Sequence, residues 1–354
     1  MIRSCGLHAR DISAVAAAAG GPKGLALLGF DRWLFGDWLK DAPRRRLLAG
    51  ASIGAWRLAA AAQIDPLPAL DRLEEAYLEV QRYPEKPGAK VVSQICRSVV
   101  QTLTGGQDDQ FLATIAPDHV LQIVTARGRE DVGRYAKRGR FAVAAIDNAL
   151  GRDRLAKHLQ RVLFCSQLTG LPEATAQDLA SSESMLPDAF NTHRVKLSAL
   201  NLEDALLASG SIPLLADPVR TPHGAPQGAY WDGGLIDYHL YWRWRALEGI
   251  VLYPHFTSQV TAGWLDKFLP WRRHGIGVRG HDWLDNVLLV VPSQQLLARL
   301  PNGKLPDRKD FYRYGTNHDA RLRDWRRAIR ECTRMADEFS AFVKNPDSAK
   351  IEAL

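Results

Sequence analysis

The chain has 354 residues, 46 % hydrophobic and 24 % charged, with a formal net charge of +7 and four cysteines. These proportions fit a globular protein with a sizeable core, and they exclude disordered, collagenous and disulfide-built chains. Large α/β sheets often run as one unit, so residues 1–354 are expected to form a single domain. Cys5, Cys96, Cys165 and Cys332 are scattered without a Cys-x-x-Cys pair, which suggests neither a zinc site nor a disulfide framework and fits a reducing compartment. The positive charge favours anionic surfaces such as phospholipid headgroups, and with no nucleic-acid motif in the chain no nucleic acid is expected as a partner.

In chain order, Ile12 to Ala19 is a run of small apolar residues that reads as a buried first strand rather than a leader. Gly20-Gly21-Pro22-Lys23-Gly24 follows, and a helical pattern starts at Leu25. A glycine-rich loop between strand and helix can bring bare backbone amides onto an anion or a developing oxyanion, although Pro22 has no N–H to give. Neither the phosphate-loop spacing nor the dinucleotide fingerprint fits. Trp33, Phe35 and Trp38 on the ensuing helix read as core packing.

The next apolar run, Leu47-Leu48-Ala49, leads into Gly50-Ala51-Ser52-Ile53-Gly54 and an alanine-rich helical stretch from Ala55 to Gln63. That is the strand, sharp turn and helix of a nucleophile elbow. Its serine sits in a strained turn, and Gly50 and Gly54 let strand and helix approach closely. The helix start directs unpaired N–H groups and a positive dipole end at Ser52.

Leu70, Leu73, Ala76, Tyr77 and Val80 recur at helical spacing within 66–88, the pattern of a surface helix. Further strands are expected at His119–Ala126, Phe141–Ile146, Val162–Ser166, His193–Leu197, Ile250–Tyr253 and Val287–Val291. Their alternation with helical segments gives an α/β fold with a mostly parallel sheet. A helix over Leu202–Ser209 should end at Gly210, ahead of Pro213. Beyond it, Tyr230-Trp231 precedes Asp232-Gly233-Gly234, which by itself is only a tight turn.

Trp264, Phe268, Leu269 and Trp271 interleave with Lys267, Arg272 and Arg273, a mixture that suits a lipid interface and equally suits core packing with a solvated basic edge. Near the end, Leu322, Trp325, Ile329, Cys332, Ala336 and Phe339 step by three or four, which predicts one amphipathic helix over about 319–343 packed on the same domain. Pairing of that stripe in a homodimer is the other use, and it leaves the oligomeric state open. With no run of about 18 apolar residues, no membrane span is expected and the protein is read as cytoplasmic, with peripheral contact to an anionic membrane as an option.

The glycine loop, the Gly-x-Ser-x-Gly elbow and the distant Asp-Gly-Gly, in this order, resemble the patatin-like phospholipase family over roughly residues 11–60 and 195–240. The resemblance implies a three-layer α/β/α fold and a lipid acyl hydrolase without metal or cofactor. It implies Ser52 as nucleophile, Asp232 as its partner in a Ser–Asp dyad, an oxyanion hole at Gly20, Gly21, Lys23 and Gly24, and a turn at Gly233 and Gly234. Ala19 stands where the family loop often begins with glycine, and Ser211 where a small residue, often alanine, precedes the proline. An aspartate base has an unperturbed pKa of about 4, so partial burial is expected to raise its basicity. A Ser–His–Asp triad using His239 or His255 is the competing scheme, but His239 lies up to ~23 Å along an extended chain from Asp232. The same site could serve an esterase, a thioesterase or a polyester depolymerase. A non-catalytic lipid- or anion-binding module would have no need to keep both Ser52 and Asp232.

Overall fold

The computed structural model describes residues 6–129, 138–168, 185–186, 188–275, 282–347 and 351–352; Cys5 lies outside them. Its strands are β1 (Ile12–Ala17), β2 (Arg46–Ala51), β3 (His119–Gly128), β4 (Leu159–Cys165), β5 (Thr192–Lys196), β6 (Val219–Arg220), β7 (Ala229–Asp232) and β8 (Ile250–Pro254). They are followed by β9 (Gln259–Thr261), β10 (Arg273–Gly275) and β11 (Val287–Val290). Among the described residues, nine of them form one sheet in the order β11-β8-β1-β2-β3-β4-β5, with β7 added against β3 and β6 against β7. Neighbours from β11 to β3 are parallel, as are β4 and β5, while β3 and β4 are antiparallel. Every residue of β1 and β2 is buried, as a parallel sheet covered by helices on both faces requires.

The pairing on β3 determines where the site forms. β2 runs beside β3 from Arg46 opposite His119 to Ala51 opposite Val124. β7 comes in antiparallel and pairs with the rest of β3, from Ala229 opposite Gly128 to Asp232 opposite Thr125. Because β4 accompanies β3 over Gln122–Gly128 on its other edge, β2 and β7 share one edge and meet end to end. Ala51 and Asp232 therefore face consecutive residues of β3, and Ser52, the next residue after Ala51, is delivered to a carboxylate distant in sequence.

The first core connection carries a buried ion pair. After β1 the chain forms a 3-10 turn over Gly21–Leu27, an α-helix over Leu28–Trp33 and a π-helical turn over Leu34–Trp38, where the sequence suggested a plain helix from Leu25. Asp31 on this connection is bonded at both oxygens to Arg57 of the helix Ile53–Ala61, at 2.7 and 2.8 Å, with side-chain exposures of 0 % and 2 %. Trp33 stacks on Trp38 at 5.5 Å, and both meet Phe339 edge-on, so this aromatic group holds the C-terminal segment to the core.

Two expectations need correction. Phe141–Ile146 is not a strand but part of a helix, Arg138–Leu150. A six-residue apolar run carries no period that separates strand from helix, and its alanines favour the helix. Phe141 and Ala144 pack inward there, while Val143 and Ile146 remain exposed. The C-terminal amphipathic stretch is two helices, His318–Cys332 and Arg334–Lys344, divided at Thr333. The Thr333 hydroxyl donates back to the Arg330 carbonyl at 2.7 Å, a bond that bends helices, and its methyl packs where Gly29 has no side chain. Leu322, Trp325, Ile329, Cys332, Ala336 and Phe339 all join the core cluster that includes β1 and β2. No helix among the described residues is long and apolar enough to cross a membrane.

Candidate active site

Ser52 is the N-cap of the helix Ile53–Ala61 and has φ 56° and ψ −130°, a conformation that costs a non-glycine residue of order 1–3 kcal/mol. The surroundings enforce it. A Cβ on Gly54 would stand 2.2 Å from the Ala17 carbonyl oxygen, and one on Gly50 would stand 2.6 Å from the Gly54 backbone, so strand and helix touch through bare backbone. The Ser52 amide donates to Ser209 Oγ at 2.8 Å, and Ser209 Oγ donates in turn to the Val124 carbonyl at 2.7 Å.

The Ser52 hydroxyl donates to Asp232 Oδ2 at 2.7 Å, while Asp232 Oδ1 accepts from the Gly234 amide at 2.7 Å. Asp232 also donates its backbone N–H to the Ser211 carbonyl at 2.9 Å. The helix end Ser209–Ser211 thus fixes the backbones of both partners. Ser209 was not singled out as a site residue in the sequence, where it is only the last residue of the expected helix Leu202–Ser209. Gly233 has no room for a side chain, because a Cβ would lie 2.2 Å from the Val124 carbonyl oxygen. Asp232 is only 6 % exposed, more buried than a tight turn would leave it, and Ser52 is equally buried. Burial pushes the Asp232 carboxyl up to about 6, against the opposing pulls of the Ser52 hydrogen bond, the Gly234 amide and the charge of Arg308.

Both groups open into a cleft of about 200 Å³ whose walls include Gly20, Gly21, Lys23, Pro213, Tyr238 and Trp264. The Ala19 amide is committed to the Tyr238 carbonyl at 2.9 Å, while Gly20, Gly21 and Lys23 of the loop line the cleft. Gly21 adopts φ +57°, and Gly20 lies against Phe256, where a Cβ would come within 2.5 Å of the ring. Gly24 does not line the cleft: it packs on Ile53 and Arg57, where a Cβ would stand 2.7 Å from the Ile53 side chain. Its lack of a side chain therefore seats the loop on the elbow helix, and the expectation of an oxyanion donor at Gly24 is corrected accordingly. Lys23 lines the cleft with its ammonium 5.0 Å from the Phe256 ring centre.

His239 and His255 are buried and do not line the cleft. The Thr261 amide donates to His239 Nδ1 at 3.0 Å, and the Thr257 amide donates to His255 Nδ1 at 3.1 Å. Burial holds both rings neutral, His255 at about 3 and His239 well below its usual value.

The aromatic and basic segment lies on the connection between β9 and β10, which pair antiparallel. Trp264 and Lys267 line the cleft, and Phe268 and Trp271 project outward, 64 % and 72 % exposed. Arg272 differs from the expectation of a free lipid-facing charge. It binds the fully buried Asp266 at 2.9 Å, a carboxylate that also accepts from Asn148 and Arg152. It therefore braces the hairpin instead of facing a surface. Asp307, Arg308 and Lys309 form the remaining wall, and no sequence motif pointed to them.

A strained serine at a strand–turn–helix elbow, bonded to a buried carboxylate under a glycine loop, places the protein among the α/β proteins with a nucleophile-elbow layout. The family model described as patatin-like phospholipase matches residues 16–239, more than half of the chain, and the chain belongs to that family of hydrolases. No curated protein and no solved structure matches it. The match ends at His239, so Trp264, Lys267 and residues 307–309 lie beyond it.

Proposed function

We propose that the protein is a carboxylic ester hydrolase acting on acyl esters of lipids, with Ser52 as nucleophile and Asp232 as general base and acid. The hydrogen bond from the Ser52 hydroxyl to Asp232 Oδ2 carries this reading. As Ser52 Oγ attacks the ester carbonyl, its proton passes to Asp232 Oδ2. The carbonyl oxygen, now negative, is received by the amides of Gly20 and Gly21 and by the start of the elbow helix. Collapse expels the alkoxide, which takes the proton from Asp232 and leaves an acyl-serine. A water then gives its proton to Asp232 and attacks the acyl carbon, and the returning proton restores Ser52. The strain at Ser52 holds Oγ clear of its own helix, and the raised basicity of Asp232 narrows the proton-transfer gap at neutral pH.

The reading is tested by turnover of p-nitrophenyl esters of graded chain length with a chelator present. Hydrolysis is expected throughout, with kcat/KM rising on an acid limb centred near the Asp232 value of about 6. No turnover of any ester, or an acid limb near 4, would count against Asp232 as a buried base.

Phe268 and Trp271, exposed on the same connection that sends Trp264 and Lys267 into the cleft, support peripheral contact with an anionic membrane in the course of lipid hydrolysis. Replacing both by serine is expected to weaken binding to anionic vesicles. Hydrolysis of vesicle lipid should then fall at least about tenfold more than hydrolysis of a soluble short ester, each tenfold corresponding to about 1.4 kcal/mol of lost surface contact. Equal losses on the two substrates would remove the membrane contact from the proposal.

A further inference from the structure

Four cations converge on the cleft: Lys23 from the glycine loop, Lys267 from the β9–β10 connection, and Arg308 and Lys309 from the chain between β11 and the C-terminal helices. Two carboxylates share the wall: Asp232, bonded to Ser52, and Asp307, already paired with Lys304 at 3.1 Å. None of the four cations forms an ion pair with a carboxylate among the described residues. Two of them, Lys23 and Lys267, are partly buried. Burial first, then the neighbouring cations, pushes the Lys267 ammonium down to about 8, and burial is also the main cause of the lowered Lys23.

The segment bearing Arg308 and Lys309 is held in place. Asp310, 2 % exposed, accepts from Trp325 Nε1 at 3.0 Å, from the Asp307 amide at 3.0 Å and from Lys304 Nζ at 2.7 Å. These bonds tie the 304–310 stretch to the C-terminal helix His318–Cys332, so the two exposed cations start from an anchored backbone. Four cations outnumber the two carboxylates of the cleft, one of which is shared with Lys304, so the wall keeps a surplus of positive charge, and the group that relieves it is an anion.

We propose that Lys23, Lys267, Arg308 and Lys309 form a phosphate subsite beside Ser52, so that the preferred ester bears a net negative phosphate with no cationic substituent. The proposal rests on Ser52 acting as the nucleophile, and it adds what the ester must carry. A phosphate monoester meets four positive charges. A choline or ethanolamine phosphate brings its own cation into the same field, where it is repelled. Three of the four residues lie beyond the stretch matched by the family model, so charge selection is a property of the C-terminal part of this chain.

The test uses the full chain and two monomeric substrates with equal acyl chains, dihexanoyl phosphatidate and dihexanoyl phosphatidylcholine, each below its micellar concentration so that no surface contributes. Assays at pH 7 keep Asp232, at about 6, mostly ionised and Lys267, at about 8, mostly protonated. The wild type is expected to favour the phosphatidate by at least about tenfold in kcat/KM, mainly through KM. Arg308→Glu combined with Lys309→Glu should bring the ratio to about one or invert it, and Lys267→Met, which leaves no buried charge behind, should lower it on its own. A positional role for these residues would slow both substrates equally and leave the ratio unchanged. p-Nitrophenyl hexanoate separates the two levels. If it is hydrolysed but the wild type does not prefer the phosphatidate, or the charge reversals leave the preference intact, the subsite is overturned and Ser52 stands. If no ester is turned over, the hydrolase reading falls and the subsite falls with it.

Discussion

Asp232→Asn is expected to lower ester turnover by at least about 10³-fold and at the same time to make the protein more stable above pH 7. The catalytic loss follows because an amide cannot take the Ser52 proton. The stability gain follows from the raised carboxyl pKa. With a folded value of about 6 against an ordinary 3.8, ionisation of Asp232 is disfavoured in the folded state. The cost is absent below pH 4, grows between about 4 and 6 and stays constant above, reaching on the order of 3 kcal/mol at about 1.4 kcal/mol per unit. Asparagine removes that cost while its oxygen still accepts from the Gly234 amide and its NH₂ can donate to Ser52 Oγ. Thermal unfolding at pH 8 and pH 4 checks the difference: the variant should gain at pH 8 and not at pH 4. A variant less stable at both values would show that the buried carboxylate is not a strained group retained for chemistry.

The second large effect lies in the buried pair beneath the glycine loop. Asp31→Ala leaves Arg57 charged among apolar side chains, and the expected loss is about 3–5 kcal/mol by urea denaturation. Replacing both partners at once, as Asp31→Leu with Arg57→Met, should recover most of that loss, since a well-packed apolar pair is often as stable as a buried ion pair. A single-variant loss under about 1 kcal/mol would mean that Arg57 finds water or another acceptor. Because Arg57 belongs to the helix that starts at Ser52, and Gly24 packs on its stem, the Asp31→Ala variant should also lower turnover at temperatures below its unfolding transition.

The legible parts of the site were those built by local chemistry. The elbow could be read because Gly50 and Gly54 must lack side chains for that strand and helix to touch, and both requirements fall within five residues. The loop could be read for the same reason at Gly20 and Gly21. Asp232 was legible only by its order behind the other two motifs. Nothing in Ala229–Asp232 announces a strand that will pair with the second half of β3 and end at the tip of β2. Gly24 was placed among the oxyanion donors because adjacent glycines in a loop look alike in sequence, whereas its role is set by Ile53 on another element. Ser209 was invisible because its value depends on a contact 157 residues away. Arg308 and Lys309 reach the cleft through a stretch anchored on the C-terminal helix, and Lys267 through the β9–β10 connection, and a charge on a loop reads as an ordinary solvated side chain until that packing is known. The sheet was read more completely than its helices. Buried strands are nearly continuous apolar runs, while the short 141–146 run gave the wrong element and Thr333 divided a pattern that reads as unbroken.

The central claim is that Ser52 is a nucleophile activated by Asp232, and covalent labelling tests it without a known substrate. The native chain is incubated with a fluorophosphonate at pH 8, digested, and mapped by mass spectrometry. The expected result is a single phosphonyl adduct on Ser52, absent in Ser52→Ala and formed at least about 10²-fold more slowly in Asp232→Asn. An unlabelled Ser52 in the folded wild type, or equal labelling rates with and without the Asp232 carboxylate, would contradict it.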